Sequence, residues 1–144
     1  MDTIVTQAQK NEVKRWLSRA YKLELEVVEL EHARTRMYDR LTTITQGYND
    51  SGGSNPSPDP HKFDAVGDVA KKLDCRLDEL SRVQLEIFQA IDSLPTPDVR
   101  VVLPARYING MRWEDISAET RFSLRNVYYY HNHGLAALAG VLKL

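Results

Sequence analysis

Apolar side chains recur every three or four residues along most of the chain, which is the spacing of one face of an α-helix. Between about residues 6 and 45, eight of nine positions along this stripe are apolar, and Arg34 is the exception. Between residues 60 and 94, nine of ten are apolar, and Gln84 is the exception. No stretch shows the two-residue alternation of a half-buried β-strand. The pattern therefore predicts an all-α protein.

The two stripes predict two long helices, and each helix needs a partner for its apolar face. We expect residues 1–95 to form a long antiparallel, coiled-coil-like hairpin with a flexible loop at 46–60, and a parallel coiled coil between chains is the alternative. The loop segment contains three Gly and three Pro, a cluster that predicts neither a helix interior nor a strand interior. The predicted seam, which also serves oligomerisation, comprises Trp16, Leu23, Val27, Leu30, Met37, Leu41, Leu73, Leu77, Leu80, Ile87 and Ile91.

Residues 96–144 form a second predicted domain of three shorter helices, at about 97–108, 112–120 and 123–142. Asn109-Gly110 ends the first of these, and Ser123 is a favourable N-cap for the third. Two short helices separated by a tight turn are typical of a helix-turn-helix. We expect His131 to be partly buried with a hydrogen-bond partner and Tyr130 to pack inward. The predicted core comprises Leu103, Tyr107, Trp113, Ile116, Phe122, Val127, His131 and Leu135.

The outer face of the third helix provides candidate DNA contacts. Arginine and asparagine make bidentate hydrogen bonds to guanine and adenine in the major groove, and tyrosine reaches phosphates or thymine methyl groups. In this hypothesis residues 123–129 contact bases, and Arg112, Arg121 and Arg125 hold the backbone. The full set of candidates comprises Arg112, Arg121, Ser123, Leu124, Arg125, Asn126, Tyr128 and Tyr129.

The segment from Val99 to Leu138 resembles the region-four helix-turn-helix of bacterial sigma factors. The whole chain also resembles sigma-like late transcriptional regulators of phages and prophages, of the type called ArpU or RinA. The matching positions are Arg106-Tyr107-Ile108, Trp113 with Ile116, Val127-Tyr128, and His131 with Leu135. Pro104 inside the first helix and Ser117 in place of the usual alanine depart from the pattern.

This resemblance implies a regulator, favoured as an activator of late genes, that binds double-stranded DNA in the host bacterial cytoplasm. Host RNA polymerase is a second candidate partner. The formal net charge is -1, from 19 basic and 20 acidic side chains, and this total gives little support to DNA binding. The distribution of the charges along the chain gives more support. From residue 120 onward there are three basic side chains and no acidic one. This modest footprint predicts weak binding by a monomer and makes a homo-oligomer, favoured as a dimer, the expected source of affinity.

Other classes of function find less support in the sequence. The single cysteine, Cys75, excludes an intramolecular disulfide, and no apolar run is long enough to cross a membrane. His131 and His133 are two residues apart and so lie on different faces of a helix, which disfavours a metal site. No glycine-rich phosphate loop and no paired nucleophile and base are present. We therefore expect neither an enzyme, nor a cofactor, nor a bound metal.

Two alternatives to a DNA-binding regulator remain. In the first alternative, the protein is a protein-binding module whose C-terminal helices bind RNA polymerase or a regulator without contacting DNA. The exposed Leu124 and the tyrosines suit such an interface. A phage small terminase subunit also combines a helical hairpin with a helix-turn-helix. Its helix-turn-helix usually lies at the N-terminus, which disfavours this alternative.

Overall fold

The structure, a computed structural model, describes residues 4–49 and 60–144, with side chains for 4–43 and 63–144. Along these residues the chain forms α1 (Gln7–Leu17), α2 (Arg19–Asn49), α3 (Pro60–Asp92), α4 (Pro97–Tyr107), α5 (Trp113–Thr120) and α6 (Leu124–Val141). No strand occurs within the described ranges, so the prediction of an all-α protein is confirmed. None of the described helices is both long enough and apolar enough to span a membrane.

The first predicted helix is bent at Ser18 into α1 and α2. Thr6 caps α1 through a capping box with Gln9. At the bend, the Ser18 hydroxyl donates to the carbonyl oxygen of Lys14 at 2.7 Å, and the Ser18 backbone nitrogen donates to the same oxygen at 2.9 Å. A serine side chain that competes for the carbonyl four residues back bends a helix. Periodicity alone did not show this bend, because the apolar stripe continues through it.

The segment predicted as a loop, 46–60, is partly helical. Helix α2 extends to Asn49, because its residues before Asp50 include no proline and a single glycine does not end a helix. Helix α3 begins at Pro60, where a proline in the first turn is compatible with helix geometry. The rest of the predicted loop, 50–59, lies outside the described residues.

Most of the predicted seam residues are shielded from solvent. Val27, Leu41, Leu73, Leu80, Ile87 and Ile91 are buried, and Trp16, Leu23, Leu30 and Met37 are partly buried. Leu77, by contrast, is exposed. The apolar stripes therefore face other parts of the protein over much of their length.

Two compact units make up the chain, and their boundaries cut across the long helices. One unit comprises residues 23–79, where the Arg76 guanidinium of α3 lies 2.9 Å from the carboxylate of Glu26 in α2. The other comprises residues 1–22 together with 80–144. In this second unit α6 packs against α1, α4 and α5. The C-terminal helices thus share their unit with α1 and with the end of α3.

Helices α4 and α6 approach each other closely at Gly134. A Cβ atom at this position would lie 2.7 Å from Cγ1 of Val99 and 2.8 Å from Cδ1 of Leu103. Both neighbours are fully buried, so neither side chain has free space to move into. The absence of a side chain at residue 134 is therefore what allows α6 to sit against α4.

We expect Gly134→Ala to lower the free energy of unfolding by about 1–3 kcal/mol, because the added methyl group overpacks a buried contact. The matched control is Gly140→Ala in the same helix, where no atom lies within 4 Å of the added Cβ. This control should be neutral or raise stability by about 0.5–1 kcal/mol, since alanine is the better helix former. Urea unfolding of both variants makes the comparison, and equal effects would contradict the close packing at Gly134.

Candidate nucleic-acid interface

A three-residue turn, Arg121 to Ser123, connects α5 to α6. Arg121 adopts a left-handed conformation with φ of 63°, which reverses the chain without a glycine. The Ser117 hydroxyl donates to the carbonyl oxygen of Phe122 at 2.6 Å, and the Phe122 backbone nitrogen donates to Oγ1 of Thr120 at 3.2 Å. These hydrogen bonds fix the direction in which α6 leaves the turn. They give Ser117 and Thr120 a structural role in the turn.

Helix α6 begins as predicted, since Oγ of Ser123 accepts a hydrogen bond from the Asn126 backbone nitrogen at 3.1 Å. The side chains of the first turns of α6 differ sharply in their exposure to solvent. Val127 is 0% exposed, whereas Tyr129 is 63% exposed. Arg125 and Asn126 are also exposed. One face of α6 is therefore anchored while the opposite face carries polar and aromatic side chains into solvent.

The anchored face belongs to a small apolar core between α4, α5 and α6. Val102, Ala105, Ile116 and Val127 are buried there. Four partly buried side chains pack around them, namely Met111, Trp113, Phe122 and Tyr130. The expectation that Tyr130 packs inward is confirmed, and its ring lies 5.4 Å from that of Phe122. Hydrogen bonding to Asp98 raises the pKa of the Tyr130 hydroxyl.

His131 lies at the meeting point of the same three helices. It is only 5% exposed, and its Nε2 is 2.7 Å from the Tyr107 hydroxyl, so the prediction of a buried histidine with a hydrogen-bond partner is confirmed. The ring centroids of His131 and Trp113 are 4.7 Å apart in an edge-to-face arrangement. Trp113 in turn contacts Tyr128, with 5.2 Å between ring centroids. We refer to Tyr107, Trp113, Tyr128 and His131 as the aromatic cluster.

Burial shifts the pKa values of two members of this cluster, His131 and Tyr107. It lowers the pKa of His131 to about 4, with further lowering by the positive charges of Lys14 and Arg106. Burial also raises the pKa of Tyr107 to about 12, although Arg106 opposes this rise. At neutral pH both groups are therefore uncharged, and the cluster is held by a neutral hydrogen bond and ring packing.

Arg106 was not among the core residues expected from the sequence. Its guanidinium carbon lies 4.4 Å from the centroid of the Trp113 ring, which is a cation–π arrangement. Its Nη1 also donates to the carbonyl oxygen of Met111 at 2.9 Å. Arg106 thus fastens the turn between α4 and α5. The sequence gave no signal of a contact between Arg106 and Trp113.

All eight candidate DNA-contacting residues have exposed side chains: Arg112, Arg121, Ser123, Leu124, Arg125, Asn126, Tyr128 and Tyr129. They lie at the start of α5, in the α5–α6 turn and along the first two turns of α6. Arg112 forms an ion pair with Asp115, 3.2 Å between Nε and Oδ2, so it is not entirely free for another anion. All eight predicted core residues are buried or partly buried. The structure thus separates the two sets by exposure.

Comparison of the chain with protein-family models, curated proteins and solved structures found no match. Within the described part of the chain, no group of three or more His, Cys, Asp or Glu side chains is arranged to hold a metal ion.

The lowered pKa of His131 predicts that the protein is less stable at acid pH. The unfolded chain binds a proton near pH 6.5, whereas folded His131 binds one only near pH 4. The free energy of unfolding should therefore fall as the pH drops through this interval. At about 1.4 kcal/mol per pH unit, the expected loss from His131 is about 3 kcal/mol.

Chemical denaturation between pH 7 and 4 measures this loss. His131→Gln should remove most of its contribution to the slope, whatever the variant's stability at pH 7. His133→Gln is the matched control, because His133 is on the same helix and exposed, and it should keep the wild-type slope. A wild-type slope in His131→Gln would show that another group is responsible.

Proposed function

We propose that the protein is a sequence-specific, double-stranded-DNA-binding transcriptional regulator in which α5 and α6 act as a helix-turn-helix. The observation that carries the proposal is the division of α6 into an anchored and an exposed face. Val127 is fully buried, while Arg125, Asn126 and Tyr129 extend into solvent beside it. A recognition helix requires this division, because its N-terminal side chains must reach base edges while its other face is held rigidly.

The rigidity of the unit supports this role. The Ser117–Phe122 hydrogen bond fixes the turn, and the aromatic cluster fixes α6 against α4 and α5. In such an arrangement Arg125 and Asn126 make bidentate contacts to guanine and adenine. Arg112 and Arg121 contact phosphates on either side, and the two tyrosines contact phosphates or thymine methyl groups.

The remainder of α2 and α3 serves oligomerisation in this proposal. Several apolar side chains of the 23–79 unit are partly exposed, including Leu25 at 49%, Tyr38 at 54% and Phe63 at 47%. The Glu26–Arg76 ion pair supports α2 and α3 lying side by side, as an antiparallel hairpin requires. A dimer is the favoured state, because doubling the number of DNA contacts compensates for the small basic footprint of one recognition helix.

The proposed biological role rests on the resemblance of the sequence to sigma factors and to late phage regulators. In that setting the protein activates late genes in the host bacterial cytoplasm and works beside RNA polymerase. Light scattering tests the assembly. A dimer agrees with the proposed regulator, whereas a ring of eight or more subunits would favour the alternative of a phage small terminase subunit.

A protein-binding module is the second candidate, and a groove on α4 and α5 favours it. The groove has a volume of about 590 Å³ and is lined in part by Val101, Pro104, Met111 and Phe122. Val101 is 47% exposed, and Leu124, which follows the α5–α6 turn, is 38% exposed. An apolar surface of this kind suits a protein partner. Capture of RNA polymerase by a protein that binds no DNA would support this candidate against the first.

The main test begins with selection of bound duplexes from a random pool, followed by mobility shifts on the selected site. Arg125→Ala with Asn126→Ala should weaken specific binding by about 1–3 kcal/mol for each bidentate pairing with a base that the substitutions remove. Binding to a scrambled duplex should change much less.

Arg82→Ala is the control for this test, because Arg82 is an exposed arginine of α3 in the same compact unit. It removes one positive charge without altering α6 and should leave the preference for the selected site unchanged. Unaltered specificity in the double variant would show that α6 is not the recognition helix.

Arg121 makes a separate prediction, because its left-handed conformation is unfavourable for a residue with a Cβ atom. Arg121→Gly should stabilise the protein by about 1 kcal/mol while weakening DNA binding and reducing its salt dependence. Lys143→Gly is the matched control, since Lys143 also has a positive φ, of 58°, and lies outside the proposed interface. It should leave DNA affinity unchanged. Stabilisation without any change in DNA binding would remove Arg121 from the interface.

A further inference from the structure

The two compact units differ in net charge more than consecutive segments of the sequence do. The unit formed by residues 1–22 and 80–144 contains 12 basic and 8 acidic side chains, a net charge of +4. The unit formed by residues 23–79 contains 7 basic and 12 acidic side chains, a net charge of -5. Much of the positive charge comes from residues 7–22, which contain five basic side chains and one acidic side chain. The unit that carries the proposed recognition helix is thus more basic than its C-terminal segment alone.

Helix α1 brings this charge to α6. The Gln9 side-chain nitrogen donates to the carbonyl oxygen of Leu144 at 2.9 Å, which places the start of α1 beside the C-terminal end of α6. Val13 and Leu17 are fully buried along the side of α1 that packs inward. Because α1 and α6 pack along several turns, the basic side chains of α1 have a fixed position relative to the recognition helix.

Lys10 and Lys14 are one helical turn apart, so they lie on the same side of α1. Both are partly exposed, and neither forms an ion pair with another of the described residues. The charge of Lys14 reaches His131 and helps to lower the pKa of its imidazole. Helix α1 thus packs against the helix that contributes His131 and the exposed Tyr128 to the aromatic cluster.

Arg19, next to the bend, is engaged differently. Arg19 lies 3.2 Å from the carboxylate of Glu86 and 4.8 Å from the Trp16 ring centroid. Lys10 and Lys14 are thus two cations on a helix that packs against α6, with Lys10 towards the C-terminal end of α6, and neither forms an ion pair with another described residue. Fixed cations beside a recognition helix are well placed to meet phosphates, which position a protein on duplex DNA without specifying its sequence.

We propose that Lys10 and Lys14 of α1 form a second DNA-contacting surface, which binds the phosphate backbone of the same duplex that α6 reads. This inference rests on the proposed function of α6. It assigns α1 a role beyond its packing, and it adds a source of affinity within a single chain. Its contacts are ionic and independent of base sequence, so they contribute equally to the selected site and to any other duplex.

The test is the salt dependence of binding by Lys10→Gln with Lys14→Gln in the full chain. Each phosphate contact contributes about 0.9 to the slope of log affinity against log salt concentration. The double variant should therefore have a slope shallower by about 1.8 while keeping the wild-type preference for the selected site over a scrambled duplex. Far-UV circular dichroism and thermal unfolding check that the variant folds, as expected when Val13 and Leu17 are untouched.

Arg36→Gln with Arg40→Gln is the matched control, because it removes two exposed positive charges from α2 in the other compact unit. It should keep the wild-type slope. An equal reduction of the slope in this control would assign the effect to net charge and overturn the inference.

The remaining outcomes separate the inference from the proposed function. If the wild type binds the selected site and the lysine variant keeps its full slope, the α1 surface is overturned and the role of α6 stands. If the lysine variant loses its preference for the selected site, a role confined to the phosphate backbone is overturned. If the wild type binds no duplex at any salt concentration, both proposals fall together.

Discussion

The neutral hydrogen bond between His131 and Tyr107 is the contact on which the arrangement of the C-terminal helices depends. It connects the middle of α6 to the end of α4, and the edge of the Trp113 ring closes the same point from α5. Burying an imidazole is favourable only when it is uncharged and has a partner. The tyrosine supplies that partner, and its own high pKa keeps the hydroxyl protonated under all ordinary conditions. Three helices are thus fixed by groups that carry no charge.

Everything that the exposed face of α6 presents depends on that fixed point. Tyr128 packs on Trp113, and Arg106 packs on the same ring from the α4 side. Arg125 and Asn126 lie six and five residues before His131 in the same helix, so their positions follow from the placement of the helix axis. A displacement at the buried histidine would move every proposed base contact together. The polar chemistry at the surface is therefore supported by a largely apolar and aromatic interior.

Sequence periodicity predicted the helices, because a helix with one buried face has apolar residues at every third or fourth position. The N-cap at Ser123, the glycine turn at Gly110 and the buried positions of α6 were predictable for the same reason. The bend at Ser18 and the left-handed Arg121 were not predictable, because both arise from local hydrogen bonding that leaves the hydrophobic pattern unchanged. The contact of α1 with α6 was also missed, since the sequence gives no register for helices more than 100 residues apart.

Packing of α1 against α6 has a consequence for folding during synthesis. The hydrogen bond from Gln9 to Leu144 closes a separation of 135 residues along the chain. Helix α1 is synthesised long before α6, the helix against which it packs. The 23–79 unit has all its own residues long before then. Contacts between distant parts of a chain form slowly, and apolar surface left uncovered in the meantime is prone to association. The nascent chain therefore carries α1 without its α6 contact until α6 has been synthesised.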